Sequence, residues 1–298
     1  EDLNYNLSRG FLKYNSKNKN LNSSLDFLLE RNLYEEKIIV YEFIGKGLGT
    51  YRFDPNSQIY LYDQFGDFLS YSIPSGLKSP STHFISSFRF NKKFPSLKNK
   101  YLKSTTLRFY LKTDYNGSTI SYQNILNPSH QIDDLKSSRL TMQTDIRYVP
   151  KNSFRRMGLK IIKNHQVIAN TLQPYKDETN NQIKFNIQEP ISNKIIFNFE
   201  LNYFDIDFKS SQISLLRKSL GWYIDTGFNF KLLKLINYGI DIVYGNENGS
   251  FGLFSDQIKT SGFEINSIVF FKKNARLDAN IFFYNISFDN ESFNSLPP

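Results

Sequence analysis

The sequence predicts an all-β protein built as an antiparallel meander, and three observations lead to this fold class. Apolar and polar residues alternate along most of the chain, which is the pattern of strands that have one apolar and one polar face. Turn-forming segments such as Asn116-Gly117 separate these runs at short intervals. No long helical period lies between the runs, whereas a parallel sheet would need crossover helices.

Composition narrows the function classes. The 298 residues include 28 Phe, 19 Tyr, one Trp and no Cys, so disulfides and thiolate chemistry are excluded. Lys and Arg outnumber Asp and Glu by 37 to 28, a net charge of +9, yet charged residues make up only 22% of the chain. That balance does not suit a coiled coil or an ordinary helical enzyme. No apolar run approaches the roughly 18 residues of a membrane-spanning helix, but barrel strands need only about 9 to 11 residues with every second one apolar.

The sequence pattern of the first 80 residues differs from that of the rest of the chain. The run Gly45-Lys46-Gly47-Leu48-Gly49 is followed by aromatic strand and turn residues, whereas a phosphate-binding loop needs a helix there. The alternating pieces at 50–53, 58–62 and 68–73 are each too short to cross a hydrocarbon core of about 30 Å. We therefore expect residues 45–76 to form an irregular surface excursion whose pieces pair with each other, with positive φ at its turn glycines, which are Gly45, Gly47, Gly49 and Gly66.

Residues 81–298 are predicted to form the antiparallel meander or barrel strands, after N-terminal strands in residues 1–80. The apolar parity shifts by one residue in 204–208 and again in 282–286. A β-bulge would cause such a shift, as would a strand that leaves one environment for another. Residues 25–31 and 211–219 lack helix caps and are predicted to be strand or loop. The clearest alternating runs are 84–90, 107–111, 139–149, 183–188, 194–203, 220–230, 236–244 and 263–271.

One group of motifs resembles a known class of proteins. Gly47-Leu-Gly-Thr-Tyr51-Arg-Phe-Asp54, then Tyr62-Asp63-Gln-Phe-Gly66-Asp67-Phe68, then Ser75-Gly76 and Pro80 resemble the G-x-G-x-Y-x-x-D … G-D-Y/F pattern. That pattern is typical of large, uncharacterised β-rich cell-envelope proteins of Bacteroidota, Ignavibacteria and Marinimicrobia-like bacteria. The resemblance implies a cell-surface or outer-membrane β-protein and carries no catalytic residues. Such proteins continue for another strand pair, so it also implies that the chain is truncated after Pro298.

No arrangement of residues typical of catalysis or metal binding is found in the sequence. The three histidines, at 83, 130 and 165, are far apart, and none has a partner at metal-ligand spacing. Asp133-Asp134 and Glu35-Glu36 are adjacent pairs, whose side chains point to opposite faces of a strand. Asp63 and Asp67 could hold Ca²⁺ through loop oxygens, and turn capping explains them as well. We predict a protein that is not an enzyme and has no cofactor and no metal.

Two sets of residues are candidates for surface contacts. Aromatic side chains in the 45–76 excursion are costly to expose without a partner; the candidates are Tyr51, Tyr60, Tyr62 and Phe68. Their alternative role is to pack the excursion onto the rim. A lysine-rich stretch without acidic residues could contact lipid phosphates, and its alternative is a solvated hairpin loop. The lysines are Lys92, Lys93, Lys98, Lys100 and Lys103.

The leading functional prediction is a non-enzymatic outer-membrane or cell-surface β-barrel, or part of one, with a structural, transport or surface-interaction role. Its expected partners are membrane lipid or lipopolysaccharide and other envelope proteins or glycans, and not nucleic acid. The apolar faces should meet lipid, while one polar set faces an aqueous interior: Arg139, Asp145, Arg147, Lys184, Lys194, Glu200 and Asp225. The alternative is a soluble extracellular β-sandwich that serves as an adhesion or glycan-binding module. A sandwich buries its aromatic residues against a second sheet, whereas a barrel exposes them in two bands.

Overall fold

The structure, a computed structural model, describes residues 5–55, 58–95, 100–129, 131, 135–150, 155–169, 175–210, 216–233, 236–251, 254–270 and 276–289. Fourteen strands in these residues form one sheet in which every pairing is antiparallel. The predicted all-β antiparallel meander is confirmed. The strands are β1 (Asn6–Asn15), β2 (Leu21–Phe43), β3 (Gly49–Asp54), β4 (Ile59–Gly66), β5 (Phe68–Lys93), β6 (Thr105–Gly117), β7 (Leu135–Tyr148), β8 (Arg156–Ile168), β9 (Lys176–Pro190), β10 (Ile195–Ser210), β11 (Arg217–Leu233), β12 (Ile236–Phe251), β13 (Phe254–Phe270) and β14 (Arg276–Phe288).

The sheet follows the order of the chain. Its path runs β1-β2-β5-β6 and then through every strand in sequence to β14, while β3 and β4 form a hairpin beside it. Two short helices, α1 (Lys100–Lys103) and α2 (Tyr122–Leu126), lie in connections between strands. The strands β1 and β14 are the two edges, and within the described residues they do not pair with each other. The described part of the sheet is therefore not closed into a barrel.

Register assigns each side chain to one of two faces, because directly opposed residues share a face. Phe197 lies opposite Phe228, which lies opposite Ile240. Glu200 lies opposite Asp225 on the other face. We call the face that carries Phe197 the apolar face and the face that carries Glu200 the polar face. The register connects these two faces continuously from β1 to β14.

Away from the end of the apolar face that the β6–β7 connection covers, burial on the two faces is the reverse of that in a soluble protein. On the apolar face, Ile240 is 47% exposed and Ile242 is 58% exposed. On the polar face, Asp145 is only 4% exposed and Asn202 only 5%. In the described residues, four large apolar side chains are fully buried: Tyr115, Leu135, Leu140 and Val167. Most other apolar side chains of the described strands are half-buried or exposed.

The small core lies where the β6–β7 connection folds over one end of the apolar face. Tyr115, Leu135 and Val167 form a buried cluster, and Ile125 of α2 packs against it. The Tyr115 hydroxyl donates to the Thr119 carbonyl at 2.6 Å. The helix α2 escaped sequence analysis because five residues are too few to show a helical period.

The parity shift at the end of β10 is not a bulge. Pairing from Ile196 to Phe208 is unbroken with both neighbouring strands. Asp205 and Asp207 therefore share the apolar face with Phe197, while Phe204 lies on the polar face. A β-bulge, one of the two predicted causes of the shift at 204–208, is therefore wrong. Pairing of β14 is also unbroken, so its apolar side chains at 281–284 lie on both faces.

Of the three short pieces in residues 45–76, the first two pair with each other as β3 and β4. Residues 68–76 are not part of an irregular excursion but the beginning of β5, which pairs with β2. Residues 25–31 are strand, as expected, within β2. Residue 80, at which the sequence pattern of the first part of the chain ends, lies inside β5 and not between two strands.

The positive φ predicted for four glycines is confirmed for two of them and wrong for the other two. Gly45 and Gly47 adopt φ of 125° and 72°, which favour glycine. Gly49 and Gly66 do not have positive φ and instead lie opposite each other between β3 and β4. A Cβ atom on Gly49 would collide with the backbone of Phe68. Close backbone approach, and not turn geometry, is the reason for glycine at these two positions.

Candidate functional site

The balance of positive and negative charge on the polar face changes along the sheet. Register places the basic side chains on strands β1 to β9. Outside the β3–β4 hairpin they are Arg9, Lys13, Arg89, Lys93, Arg108, Lys112, Arg139, Arg147, Arg156, Lys160, Lys176 and Lys184. They outnumber the carboxylates on the same strands and face, which are Asp26, Glu30, Glu42, Asp114, Asp145 and Glu178. Strands β10 to β13 instead carry Glu200, Asp225, Asp241 and Glu264 at the centre of this face. On these four strands the polar-face cations are at the ends of β11, at Arg217 and Lys231.

The sequence prediction of a common face is confirmed for six of its seven charged residues, which are Arg139, Asp145, Arg147, Lys184, Glu200 and Asp225. Lys194 lies instead in the turn between β9 and β10. The strand register places these six residues on one face whether water or lipid contacts that face.

We call strands β1 to β9 the basic half of the polar face. Part of this half is a concavity of about 420 Å³. We call it the basic concavity; its charged lining residues are Lys13, Arg89, Arg108, Asp145 and Arg147. Arg147 holds the buried Asp145 carboxylate through Nη2 at 2.7 Å and Nε at 2.9 Å. The guanidinium of Arg89 lies 5.7 Å from the centre of the Tyr110 ring, a cation–π contact. Arg147 is thus held by a residue of its own strand β7, and Arg89 by a residue of the neighbouring strand β6.

We call strands β10 to β13 the acidic half of the polar face. Two of its carboxylates accept hydrogen bonds from neighbouring side chains. Asn266 Nδ2 donates to Asp241 Oδ2 at 3.0 Å, and the Tyr284 hydroxyl donates to Glu264. Asp241 and Glu264 are directly opposed on β12 and β13. In the described residues, no three His, Cys, Asp or Glu side chains lie where they could hold one metal ion. These carboxylates therefore form an acidic surface.

The aromatic residues predicted as contact candidates lie together. Tyr51, Tyr60, Tyr62 and Phe68 belong to a cluster that also contains Tyr41, Phe43 and Phe53, which we call the rim aromatic cluster. Tyr41 stacks on Tyr60 with ring centres 3.9 Å apart. Burial raises the pKa of Tyr41, and electrostatic interaction with Tyr51 and Tyr60 adds to the rise. Tyr62 is the most exposed of the four candidates, at 70%.

Tyr41 and Phe43 could not be predicted as members of this cluster because they lie at the end of β2, before the glycine-rich turn. Only pairing of Phe43 with Phe68 brings the two segments together. The carboxylates in this region cap turns: Asp63 accepts from the Phe65 amide at 3.0 Å, and Asp67 accepts from the Gly47 amide at 2.9 Å. The turn-capping interpretation of these two residues therefore holds.

The predicted lysine set is not gathered on one surface. Lys92 and Lys93 are consecutive in β5 and lie on opposite faces. Lys100 and Lys103 are the first and last residues of α1, and Lys103 is exposed. Lys98 lies outside the described residues.

None of the helices in the described part of the chain is long and apolar enough to cross a membrane.

Comparison with known proteins gives no further assignment. No family model, no curated protein and no solved structure matches this chain.

Proposed function

We propose that this chain forms a wall of an outer-membrane-type β-barrel. Its apolar face meets lipid, and its polar face lines an aqueous interior. The observation that carries the proposal is the reversed burial, with exposed Ile240 and Ile242 on one face and enclosed Asp145 and Asn202 on the other. In a bilayer the outer solvent is hydrocarbon, so exposed apolar side chains are favourable there.

The height of the apolar band supports this proposal. On β10 the apolar face is continuous over the nine residues from Ile195 to Tyr203. A tilted strand of a transmembrane barrel needs about 9 to 11 residues to cross the hydrocarbon core. Beyond Tyr203, Asp205 and Asp207 take the same face, as expected where a strand leaves the hydrocarbon.

Aromatic side chains near the two ends of the band also support the proposal. On the apolar face, Tyr148 and Tyr238 lie on the side of the β7–β8 and β11–β12 connections. Tyr203, Trp222 and Tyr244 lie toward the other side, and the rings of Trp222 and Tyr244 are 5.7 Å apart. Aromatic girdles at the two membrane interfaces have this arrangement.

The edges of the described sheet are consistent with a wall that pairs further. On the edge strand β14, Phe282 and Phe283 project to opposite faces and are 61% and 56% exposed. A soluble protein normally protects such an edge with charges or a covering segment. In the proposal, additional strands pair with β1 and β14 and complete the barrel. A second sheet over the apolar face, as a sandwich requires, has no counterpart in the described residues, where α2 and its connection cover only one end.

The role we propose is non-enzymatic: a structural wall that provides a polar, charged path or surface on its inner side, in the bacterial outer membrane.

The test uses the absence of cysteine from the sequence. Phe199→Cys and Glu200→Cys place a bimane label on opposite faces of β10, and Asp207→Cys places it on the apolar face beyond the band. In lipid vesicles, doxyl lipids should quench the label at 199 strongly and the labels at 200 and 207 weakly. Iodide should quench the label at 200. A label at 199 that is shielded from doxyl lipid would overturn the proposal.

A further inference from the structure

We propose that the basic concavity binds a small multivalent oxyanion, a phosphate or a carboxylate. The proposal concerns the polar face itself and does not depend on what covers the apolar face. It is carried by the register of five strands, by the excess of positive charge and by the way the guanidinium groups are held.

Two rows of directly opposed residues form the floor of the concavity across β1, β2, β5, β6 and β7. The first row is Lys13, Ser24, Arg89, Tyr110 and Gln143. The second row is Asn15, Asn22, Asn91, Arg108 and Asp145. Diagonal neighbours on adjacent strands are about 7 to 8 Å apart, so Arg89 and Arg108 can reach one ligand together. Serine and amide side chains between them supply neutral hydrogen-bond donors.

The charge of the concavity is positive. Four cations, Lys13, Arg89, Arg108 and Arg147, line it together with one carboxylate, that of Asp145. Asp145 is already engaged by Arg147. In the described residues, Lys13, Arg89 and Arg108 have no carboxylate within ion-pair distance. Three cations are therefore available to an anion.

The side chains suit an oxyanion more closely than a simple halide. A guanidinium group presents a planar fork of donors that matches the two oxygens of a carboxylate or phosphate. The ring of Tyr110 supports Arg89 from one side, which reduces the freedom that the arginine loses on binding. A volume of about 420 Å³ lies within the range of small-molecule sites.

The acidic half of the same face strengthens the selectivity. Glu200, Asp225, Asp241 and Glu264 repel anions from strands β10 to β13, so an anion on this face is directed toward the basic half. The strand register alone places the cations of the basic half and the carboxylates of the acidic half on this face.

Calorimetric titration of the full chain in non-ionic micelles tests the proposal, with pyrophosphate and citrate as probes. The test variant is Arg89→Gln with Arg108→Gln. The matched control is Lys184→Gln with Arg217→Gln, which removes two cations from the same face outside the concavity. The test variant should weaken binding of the tighter probe at least about tenfold, and the control should change it less than about threefold.

Equal weakening by the two variants, or a parent chain that binds neither probe, would overturn the proposal. Adding phosphatidylglycerol to the micelles identifies the source of the oxyanion. Competition with the probe in the parent but not in the test variant assigns the site to a lipid headgroup, and lack of competition assigns it to a free solute. Should the double variant fail to fold by circular dichroism, Lys13→Gln on the edge strand carries the same test, with an expected weakening of about threefold.

Discussion

Placing a lysine in the middle of the apolar band separates a lipid-facing from a water-facing sheet. Ile240 lies on β12, between Tyr238 and Tyr244, with Phe228 and Ile265 directly opposite it. Its side chain is 47% exposed, so the substitution Ile240→Lys neither opens a cavity nor creates a clash.

The expected change in unfolding free energy is larger if Ile240 faces lipid than if it faces water. A lysine near the bilayer midplane of a β-barrel costs about 2 to 4 kcal/mol, falling to about 0 to 1 kcal/mol near the interfaces. On a water-facing surface the same change stays within about 0.5 kcal/mol. The matched control is Asn248→Lys, on the same strand and the same face but eight residues beyond Ile240, past the aromatic residues. If the face meets lipid, we expect at least about 2 kcal/mol for Ile240→Lys and less than about 1 kcal/mol for the control.

Urea unfolding in phosphatidylcholine vesicles, followed by emission of the single tryptophan, Trp222, measures both variants. Ile240→Thr keeps a β-branched residue and corrects for lost strand propensity. An Ile240→Lys cost no larger than that of Asn248→Lys would refute the lipid-facing assignment of this face.

Three further changes have definite expected outcomes. Replacing residues 44–67 by Asn-Gly should leave the main sheet assembled, because Phe43 and Phe68 are paired and a two-residue turn can join them; loss of assembly, measured by circular dichroism, would make the rim aromatic cluster structural. Leu135→Ala should lower the unfolding free energy by about 2 to 5 kcal/mol because its side chain is buried, and a cost below about 1 kcal/mol would contradict the core assigned to the β6–β7 connection. Arg155 donates two hydrogen bonds to the Glu189 carboxylate, and protonation of that carboxylate in acid weakens the ion pair. The stability difference between the parent and Arg155→Gln should therefore shrink in acid, and a difference of constant size would contradict the ion pair.

Some of the candidate site could be predicted from sequence because its residues are close together in the chain. Tyr51, Tyr60, Tyr62 and Phe68 fall within one short segment, and alternation placed them in strands that pair. The roles of Gly49 and Gly66 were mistaken because close approach of two backbones leaves no mark in either local sequence. Tyr41 was missed for a related reason, since its contact with Tyr60 depends on how β2 meets the hairpin.

The basic concavity could not be predicted from the sequence. Lys13, Arg89, Arg108 and Arg147 are spread over more than a third of the chain, and a change of one residue in any intervening register would move some of them to the other face. The lysine-rich stretch was the more visible basic signal, yet consecutive residues such as Lys92 and Lys93 project to opposite faces.

The sequence by itself determined that this protein is an antiparallel sheet with an apolar and a polar face, because side-chain alternation is a local property of a strand. Turn residues at short intervals likewise determined that neighbouring strands follow one another. Only the tertiary structure decided which polar residues share a row, where cations and carboxylates separate, and that the parity change after Tyr203 occurs without a bulge. The physical reason is that these features depend on the pairing of distant strands, and register is set by many contacts at once.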